Sequence, residues 1–140
     1  MSSAYIPPAL RQLIYQRASG RCEYCLIPEA VTFGGHEIDH IIAQKHGGPT
    51  TADNLALSCV LCNKLKGSDI ASVDPISGDL VPLFHPRRDR WSEHFQIKGA
   101  QLIPLTPIGR VTVRLLQLNH PNRFVERERL LVAGILQLPV

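Results

Sequence analysis

The apolar residues near the start of the chain follow a helical spacing. Pro8 can open a helix, because proline is well suited to the first helical turn. Apolar side chains then recur at three- and four-residue intervals, at Leu10, Leu13 and Ile14, and Gly20 ends the pattern. The spacing predicts a short amphipathic helix before the first cysteine.

The middle of the chain alternates between isoleucine- or leucine-rich stretches and polar stretches. Residues Glu37–Ile42 and Asn54–Ser58 have the composition of short strands, and Gly47–Pro49 between them is typical of a turn. Residues Val60–Lys66 suit a short helix that Gly67 ends. The pattern therefore predicts the order strand, loop, strand, helix.

The last part of the chain predicts further short elements. Residues 74–86 have turn-forming dipeptides and no periodicity, so we expect them to be irregular. Phe95–Ile97 and Gln101–Ile103 can pair as a hairpin. Thr106-Pro107 and Asn119–Pro121 each place a capping residue and a proline where a helix begins. Together the elements predict an α+β fold.

Composition indicates one globular domain. The chain has 140 residues, of which 44% are hydrophobic and 19% charged, so it can bury a core and does not resemble a disordered chain. It contains no run of about 18 apolar residues, which excludes a transmembrane helix. The N-terminus lacks a basic segment followed by an apolar one, so we expect a cytoplasmic protein. The net charge of +3 is only a weak indication of an anionic partner.

The chain has four cysteines in two C-x-x-C pairs, Cys22 with Cys25 and Cys59 with Cys62. Stable disulfides are disfavoured in a reducing cytoplasm, whereas two such pairs supply the four ligands of a tetrahedral zinc site. We therefore predict a structural Zn²⁺, because four thiolates leave no open coordination position. The alternatives are a redox-active disulfide pair or four buried structural thiols.

The polar residues between and after the cysteine pairs resemble the HNH endonuclease family. The first motif residue is His40 within Ile38–Ile42, the second is Asn54, and the third is Asn63 directly after Cys62. Many family members have histidine at the third position, and asparagine is a variant that also occurs in active nucleases. The resemblance runs from Arg21 to Gly67, with the motif residues 14 and 9 positions apart.

This resemblance implies a ββα-metal core over residues 21–67 and hydrolysis of DNA phosphodiester bonds with Mg²⁺ or Mn²⁺. Products with 5′-phosphate and 3′-hydroxyl ends are also implied. Residues 82–110 resemble a companion region of small bacterial, especially cyanobacterial, HNH proteins. We expect residues 82–140 to pack on the core as a helical and hairpin extension. We expect residues 1–140 to form one domain.

The resemblance also assigns roles to individual residues. His40 is the expected general base, since an imidazole with a pKa of about 6.5 suits proton abstraction at neutral pH. Asp39 and Asn63 are the expected ligands of Mg²⁺, which prefers oxygen donors. Asn54 is expected to orient the His40 strand by bonding backbone groups across the loop. The plainer alternatives are a buried structural histidine, a surface carboxylate and a solvent-facing asparagine.

One geometric tension accompanies these roles. Neighbouring side chains on a regular strand point to opposite faces, yet Asp39 and His40 must serve one site. Either the strand twists or bulges there, or the metal lies at the strand edge, where both side chains reach it.

Basic residues around the motif indicate a nucleic-acid partner, which we expect to be duplex DNA. Such side chains neutralise phosphates without reading base sequence, although a charge cluster is often only a solvated surface. The candidate DNA-binding residues are Lys45, Lys64, Lys66, Arg87 and Arg88. The first alternative function is a non-catalytic zinc-dependent nucleic-acid-binding module. The second is a zinc-scaffolded protein-interaction domain.

Overall fold

Short helices and short antiparallel strands alternate along the chain. The structure is a computed structural model and describes residues 5–136, 138 and 139. The elements are α1 (Pro8–Arg17), β1 (Glu37–His40), β2 (Leu55–Ser58), α2 (Val60–Lys66), β3 (Ala71–Val73), β4 (Leu80–Pro82), α3 (Trp91–His94), β5 (Phe95–Lys98), β6 (Gln101–Pro104), α4 (Pro107–Leu115) and α5 (Pro121–Val132). The predicted α+β class is confirmed. None of the described helices is both long and apolar enough to cross a bilayer.

The chain divides into two compact units. The first contains the described residues up to Ile70 together with His85–Arg87, and the second contains Ala71–Phe84 and the described residues from Arg88 onward. The expectation that residues 1–140 form one domain, with residues 82–140 packed on the core, stays a prediction.

The first unit contains the predicted strand, loop, strand and helix. Strands β1 and β2 pair antiparallel, and α2 follows β2 after one residue, so the ββα order is present. Helix α1 packs on β2 and contributes Ile14 to a small core with Leu55 and Leu57. Arg17 at the end of α1 donates to the backbone oxygen of Leu55 at 2.6 Å, which ties the helix to the start of β2.

Strand β1 ends at His40, two residues earlier than the sequence predicts. The backbone N–H of Ile41 donates to the Asn54 carbonyl at 2.9 Å, and that of Ile42 donates to Asn54 Oδ1 at 2.9 Å. The chain beyond His40 is therefore bonded to Asn54 in place of a continued strand ladder, and β2 begins only at Leu55.

The second unit contains two hairpins and three helices. Helix α4 begins where predicted, with the Thr106 hydroxyl accepting from the N–H of Gly109 at 3.0 Å. Strands β5 and β6 form the predicted hairpin, and each strand is one residue longer at its C-terminal end. The expectation of irregular structure over residues 74–86 is wrong in part, because β3 and β4 pair antiparallel and β4 lies within that range. The intervening turn is held by Asp74, whose carboxylate accepts from Ile76 N–H and the Ser77 hydroxyl.

Candidate active site and metal centre

The sulfur atoms of four buried cysteines meet in the first unit. All four lie within 4.8 Å of one another, and Cys25 Sγ is 3.7 Å from Cys59 Sγ. A Zn–S bond of about 2.3 Å places the sulfurs of a regular tetrahedron about 3.8 Å apart. The cluster formed by Cys22, Cys25, Cys59 and Cys62 therefore has the size to hold one zinc ion.

The chemistry of this cluster also fits a metal. The backbone N–H of Cys25 donates to Cys22 Sγ at 3.4 Å, and that of Cys62 donates to Cys59 Sγ at 3.3 Å, so each turn wraps around its first sulfur. Burial raises the pKa of the Cys22 and Cys62 thiols well above the usual value, while a hydrogen bond with Cys22 lowers the pKa of Cys59. A divalent cation would supply the charge that four buried thiolates need.

Strand β1 and helix α2 face each other through two polar pairs. Glu37 and Asp39 lie two residues apart and share one face of β1, and Asn63 and Lys66 lie about one turn apart on α2. Asn63 Nδ2 donates to Glu37 Oε2 at 2.5 Å, and Lys66 Nζ lies 3.1 Å from Asp39 Oδ2. We call these four side chains the β1–α2 polar face.

Asp39 is the most enclosed carboxylate of that face, with 4% of its surface exposed. Its Oδ2 accepts from the Tyr24 hydroxyl at 2.8 Å, and its Oδ1 accepts from Lys66 Nζ at 3.3 Å. Burial raises the pKa of Asp39, although the Lys66 charge and the Tyr24 hydrogen bond act in the opposite direction. The carboxylate is therefore buried beside one ammonium and one phenol, its donors among the described side chains.

Lys66 is buried, with 1% of its surface exposed. Besides Asp39, its ammonium donates to the backbone oxygens of His40 at 3.2 Å and Ile41 at 3.0 Å. The positive charge of Lys66 therefore lies inside the protein, next to the end of β1. This position differs from the expectation that Lys66 contacts nucleic acid, since its three donors already have acceptors in the protein.

His40, at the end of β1, is buried, and one of its two imidazole nitrogens is hydrogen-bonded. Its Nε2 lies 2.9 Å from Thr50 Oγ1, whereas its buried Nδ1 has no hydrogen-bond partner among the described residues. Burial lowers the pKa of His40 below its usual value, Lys66 lowers it further, and Asp39 opposes the shift. Burial therefore favours the neutral imidazole, in which one ring nitrogen carries no proton.

The pairing of β1 with β2 limits how the neighbouring side chains of Asp39 and His40 could serve one site. Strands β1 and β2 pair without interruption from Glu37 opposite Ser58 to His40 opposite Leu55, so no bulge separates Asp39 from His40. The register excludes a bulge, and a site shared by Asp39 and His40, through a twist of the strand or at its edge, stays a prediction.

Asn54 bridges the loop that follows β1. Its Nδ2 donates to the backbone oxygens of Ile42 at 3.0 Å and Pro49 at 2.8 Å, and its Oδ1 accepts from Ile42 N–H. Gly48 lies so close to this bridge that a Cβ there would meet the Ile42 oxygen at 1.7 Å and Asn54 Nδ2 at 2.8 Å. Glycine is therefore required at this position, and Asn54 fixes the chain next to His40.

The other candidate DNA-binding residues lie in different environments. Lys45 and Lys64 are exposed in the first unit. Arg87 is half-buried and forms an ion pair with Glu23, and burial lowers its pKa to about 10. Arg88 is exposed and belongs to the second unit. Contact of these residues with nucleic acid stays a prediction.

Sequence reasoning missed two members of this site, Tyr24 and Glu37. Glu37 could have been found from the sequence, because it lies two residues before Asp39 and therefore shares its strand face. No sequence pattern identifies Tyr24, because its contact with Asp39 depends on how the first cysteine turn packs against β1. Glu37, Asp39 and Asn63 together offer carboxylate and amide oxygens, the donor type that Mg²⁺ and Mn²⁺ prefer.

Comparisons with known proteins point to the same segment. A family model described as HNH endonuclease matches residues 22–69. The CRISPR-associated endonuclease Cas9 of Corynebacterium diphtheriae is 41% identical over 54 residues, which make up 38% of this chain and 5% of that relative. The chain thus spans a small fraction of the relative that it matches. The resemblance of residues 22–69 to the HNH endonuclease family is thereby confirmed.

Proposed function

We propose that this chain is a metal-dependent HNH endonuclease that hydrolyses phosphodiester bonds in duplex DNA and acts in the cytoplasm. The observation that carries the proposal is the HNH match over residues 22–69, which spans His40, Asn54 and Asn63. The identity over 54 residues with another protein, the CRISPR-associated endonuclease Cas9, also supports this proposal.

Two metal sites with separate tasks follow from the donor atoms. The four cysteines hold one Zn²⁺, which is structural because four thiolates complete its tetrahedron. Asp39 and Asn63, with Glu37 beside them, hold Mg²⁺ or Mn²⁺ through oxygen atoms. When bound, that ion neutralises charge on the scissile phosphate and on the leaving oxygen.

His40 acts as the general base through Nδ1. In the tautomer that this role requires, Nε2–H donates to Thr50 Oγ1, which fixes the ring and leaves the Nδ1 lone pair available. Nδ1 takes a proton from the attacking water as the new P–O bond forms and the bond to the leaving oxygen breaks. The proton on His40 is then released to solvent or to the leaving oxygen, giving 5′-phosphate and 3′-hydroxyl ends.

The remaining predicted residues support this chemistry. Asn54 holds the backbone after His40 through its bonds to Ile42 and Pro49. The exposed Lys45 and Lys64 neutralise DNA phosphates, with Arg87 and Arg88 as further candidates. We reassign Lys66 to holding Asp39 and the end of β1, because its ammonium is buried there.

One observation favours a non-catalytic zinc-dependent nucleic-acid-binding module instead. Asp39 already has Lys66 and Tyr24 as partners, as a purely structural carboxylate would. A module of this kind would bind DNA in a salt-sensitive manner and cut it under no divalent metal.

Plasmid cleavage by zinc-loaded protein tests the two functions. We expect cleavage with Mg²⁺ or Mn²⁺, none after dialysis against a weak chelator that leaves the zinc in place, and recovery when Mg²⁺ is returned. Elemental analysis should show about one zinc per chain throughout. Cleavage that survives the dialysis contradicts a second, exchangeable metal. DNA binding without cleavage under any divalent metal favours the binding module.

A further inference from the structure

The first cysteine turn carries a tyrosine between its two metal-ligand candidates. Tyr24 lies in the sequence Cys22-Glu23-Tyr24-Cys25 and is 1% exposed. Its hydroxyl donates to Asp39 Oδ2 at 2.8 Å. A residue of the zinc turn therefore makes direct contact with the carboxylate proposed to hold the second metal.

The backbone fixes this turn against the strand pair. Glu23 N–H donates to the Leu57 oxygen at 2.8 Å, and Leu57 N–H donates back to Glu23 Oε2 at 2.8 Å. Because Leu57 lies on β2, which is paired to β1, the turn and Asp39 are both held by the same hairpin. The Tyr24 hydroxyl has little freedom to leave Asp39.

The donors around Asp39 do not use every lone pair of its carboxylate. An ionised carboxylate offers about four lone-pair directions on its two oxygens. Tyr24 donates to one oxygen, and Lys66 Nζ lies 3.1 and 3.3 Å from the two oxygens, at longer range than the phenol. Tyr24 thus sets the orientation of the carboxylate while lone pairs remain for a metal.

We propose that Tyr24 is a positioning residue for Asp39 and that it links the zinc cluster to the divalent-metal site. The inference rests on the proposed function, since it takes Asp39 as the metal ligand. Hydrogen-bond partners of metal-ligating side chains orient those ligands, and their removal typically weakens metal binding or activity about 10- to 100-fold. A hydroxyl that only filled the core would affect stability and leave the metal affinity unchanged.

The Tyr24→Phe variant removes only the hydroxyl, and Tyr15→Phe is its matched control. The Tyr15 hydroxyl also donates inside the first unit, to the His36 oxygen at 3.0 Å. With zinc loaded in both, Mn²⁺ affinity is measured by electron paramagnetic resonance. We expect Tyr24→Phe to bind Mn²⁺ about tenfold more weakly and Tyr15→Phe to match the wild type. Cleavage by Tyr24→Phe should fall at low Mn²⁺ and recover when Mn²⁺ is raised.

Equal Mn²⁺ affinity in wild type and Tyr24→Phe overturns the inference while leaving the proposed function intact. Failure of the wild type itself to bind Mn²⁺ and to cut DNA instead overturns the proposed function.

A second measurement decides the inference if Tyr24→Phe does not fold or loses zinc. The chain has three tyrosines, so protein labelled with 3-fluorotyrosine gives a simple fluorine spectrum, assigned with Tyr5→Phe and Tyr15→Phe. Titration of the zinc-loaded wild type with Mg²⁺ should move the Tyr24 resonance and leave the other two in place. A Tyr24 resonance that stays fixed while Mg²⁺ binds overturns the inference.

Discussion

Two buried aspartates, one in each unit, have opposite electrostatic surroundings. Asp74 accepts from Arg110 Nε at 2.9 Å and Nη2 at 2.7 Å, as well as from Ile76 N–H and the Ser77 hydroxyl. These bonds, led by that from Arg110, hold the pKa of Asp74 well below its usual range. Among the described residues, Asp39 accepts only from Tyr24 and Lys66, and burial raises its pKa.

The difference separates a structural carboxylate from one with binding capacity left. A bidentate arginine and two further donors satisfy the Asp74 oxygens, so that side chain holds the β3–β4 turn on Arg110. Lys66 balances the formal charge of Asp39, as Arg110 balances that of Asp74, but among the described residues the Asp39 oxygens accept fewer hydrogen bonds. We therefore expect a metal ion to bind the remaining lone pairs of Asp39, and none to bind at Asp74.

Replacing each aspartate by asparagine should give the largest difference between the two sites in cleavage and in stabilisation by Mn²⁺. Asp39→Asn should lose Mg²⁺-dependent cleavage by more than about 100-fold, because a bound metal supplies several kcal/mol of transition-state stabilisation. It should also lose the rise in Tm that Mn²⁺ causes, which corresponds to about 2.7 kcal/mol when Mn²⁺ is 100 times its Kd. Cleavage assays and thermal melts with and without Mn²⁺ measure both effects.

Asp74→Asn is the control for that experiment. It should lower the Tm in the absence of Mn²⁺ and keep both the Mn²⁺-induced rise and the cleavage rate of folded protein. A Mn²⁺ response that survives in Asp39→Asn, or that disappears in Asp74→Asn, contradicts the distinction between the two carboxylates.

Removal of the basic partners gives the next largest effect. Lys66→Met leaves the buried Asp39 without its ammonium and should cost about 3–5 kcal/mol of unfolding free energy in metal-free buffer. Mn²⁺ should restore part of this loss, since a cation at Asp39 replaces the missing charge. Thermal melts of Lys66→Met and Arg110→Met in the presence and absence of Mn²⁺ make the comparison. If Mn²⁺ stabilises both variants equally, the idea that only Asp39 accepts a second cation is wrong.

Sequence patterns predicted the metal-binding framework well, because the signals are local. The C-x-x-C spacing predicted that Cys22, Cys25, Cys59 and Cys62 would form one cluster, and the structure confirms it. The bounds of α2 were predicted correctly at Val60–Lys66, since Gly67 ends the apolar stretch. Thr106 followed by proline predicted the start of α4 for the same local reason.

Contacts between distant residues were not predictable in this way. Lys66 sits at a helix end, where a lysine is usually exposed, and only the packing of α2 on β1 buries it against Asp39. The contact between Tyr24 and Asp39 joins residues 15 positions apart and depends on the fold of the cysteine turn. The β3–β4 hairpin was missed because each strand has three residues, too few to show alternation.

If His40 is the base of a metal-dependent nuclease, its loss must slow cleavage even when the metal is saturating. Cleavage of plasmid DNA at saturating Mg²⁺ is compared for His40→Ala and for His94→Ala, whose Nδ1 lies 2.6 Å from the Thr106 hydroxyl in a similar histidine–threonine pair. Loss of a general base costs about 10²–10⁴-fold in rate. We expect that loss for His40→Ala, with unchanged zinc content and no rescue by more Mg²⁺, and near-wild-type cleavage for folded His94→Ala. Equal cleavage rates for wild type and His40→Ala would show that His40 is not the general base.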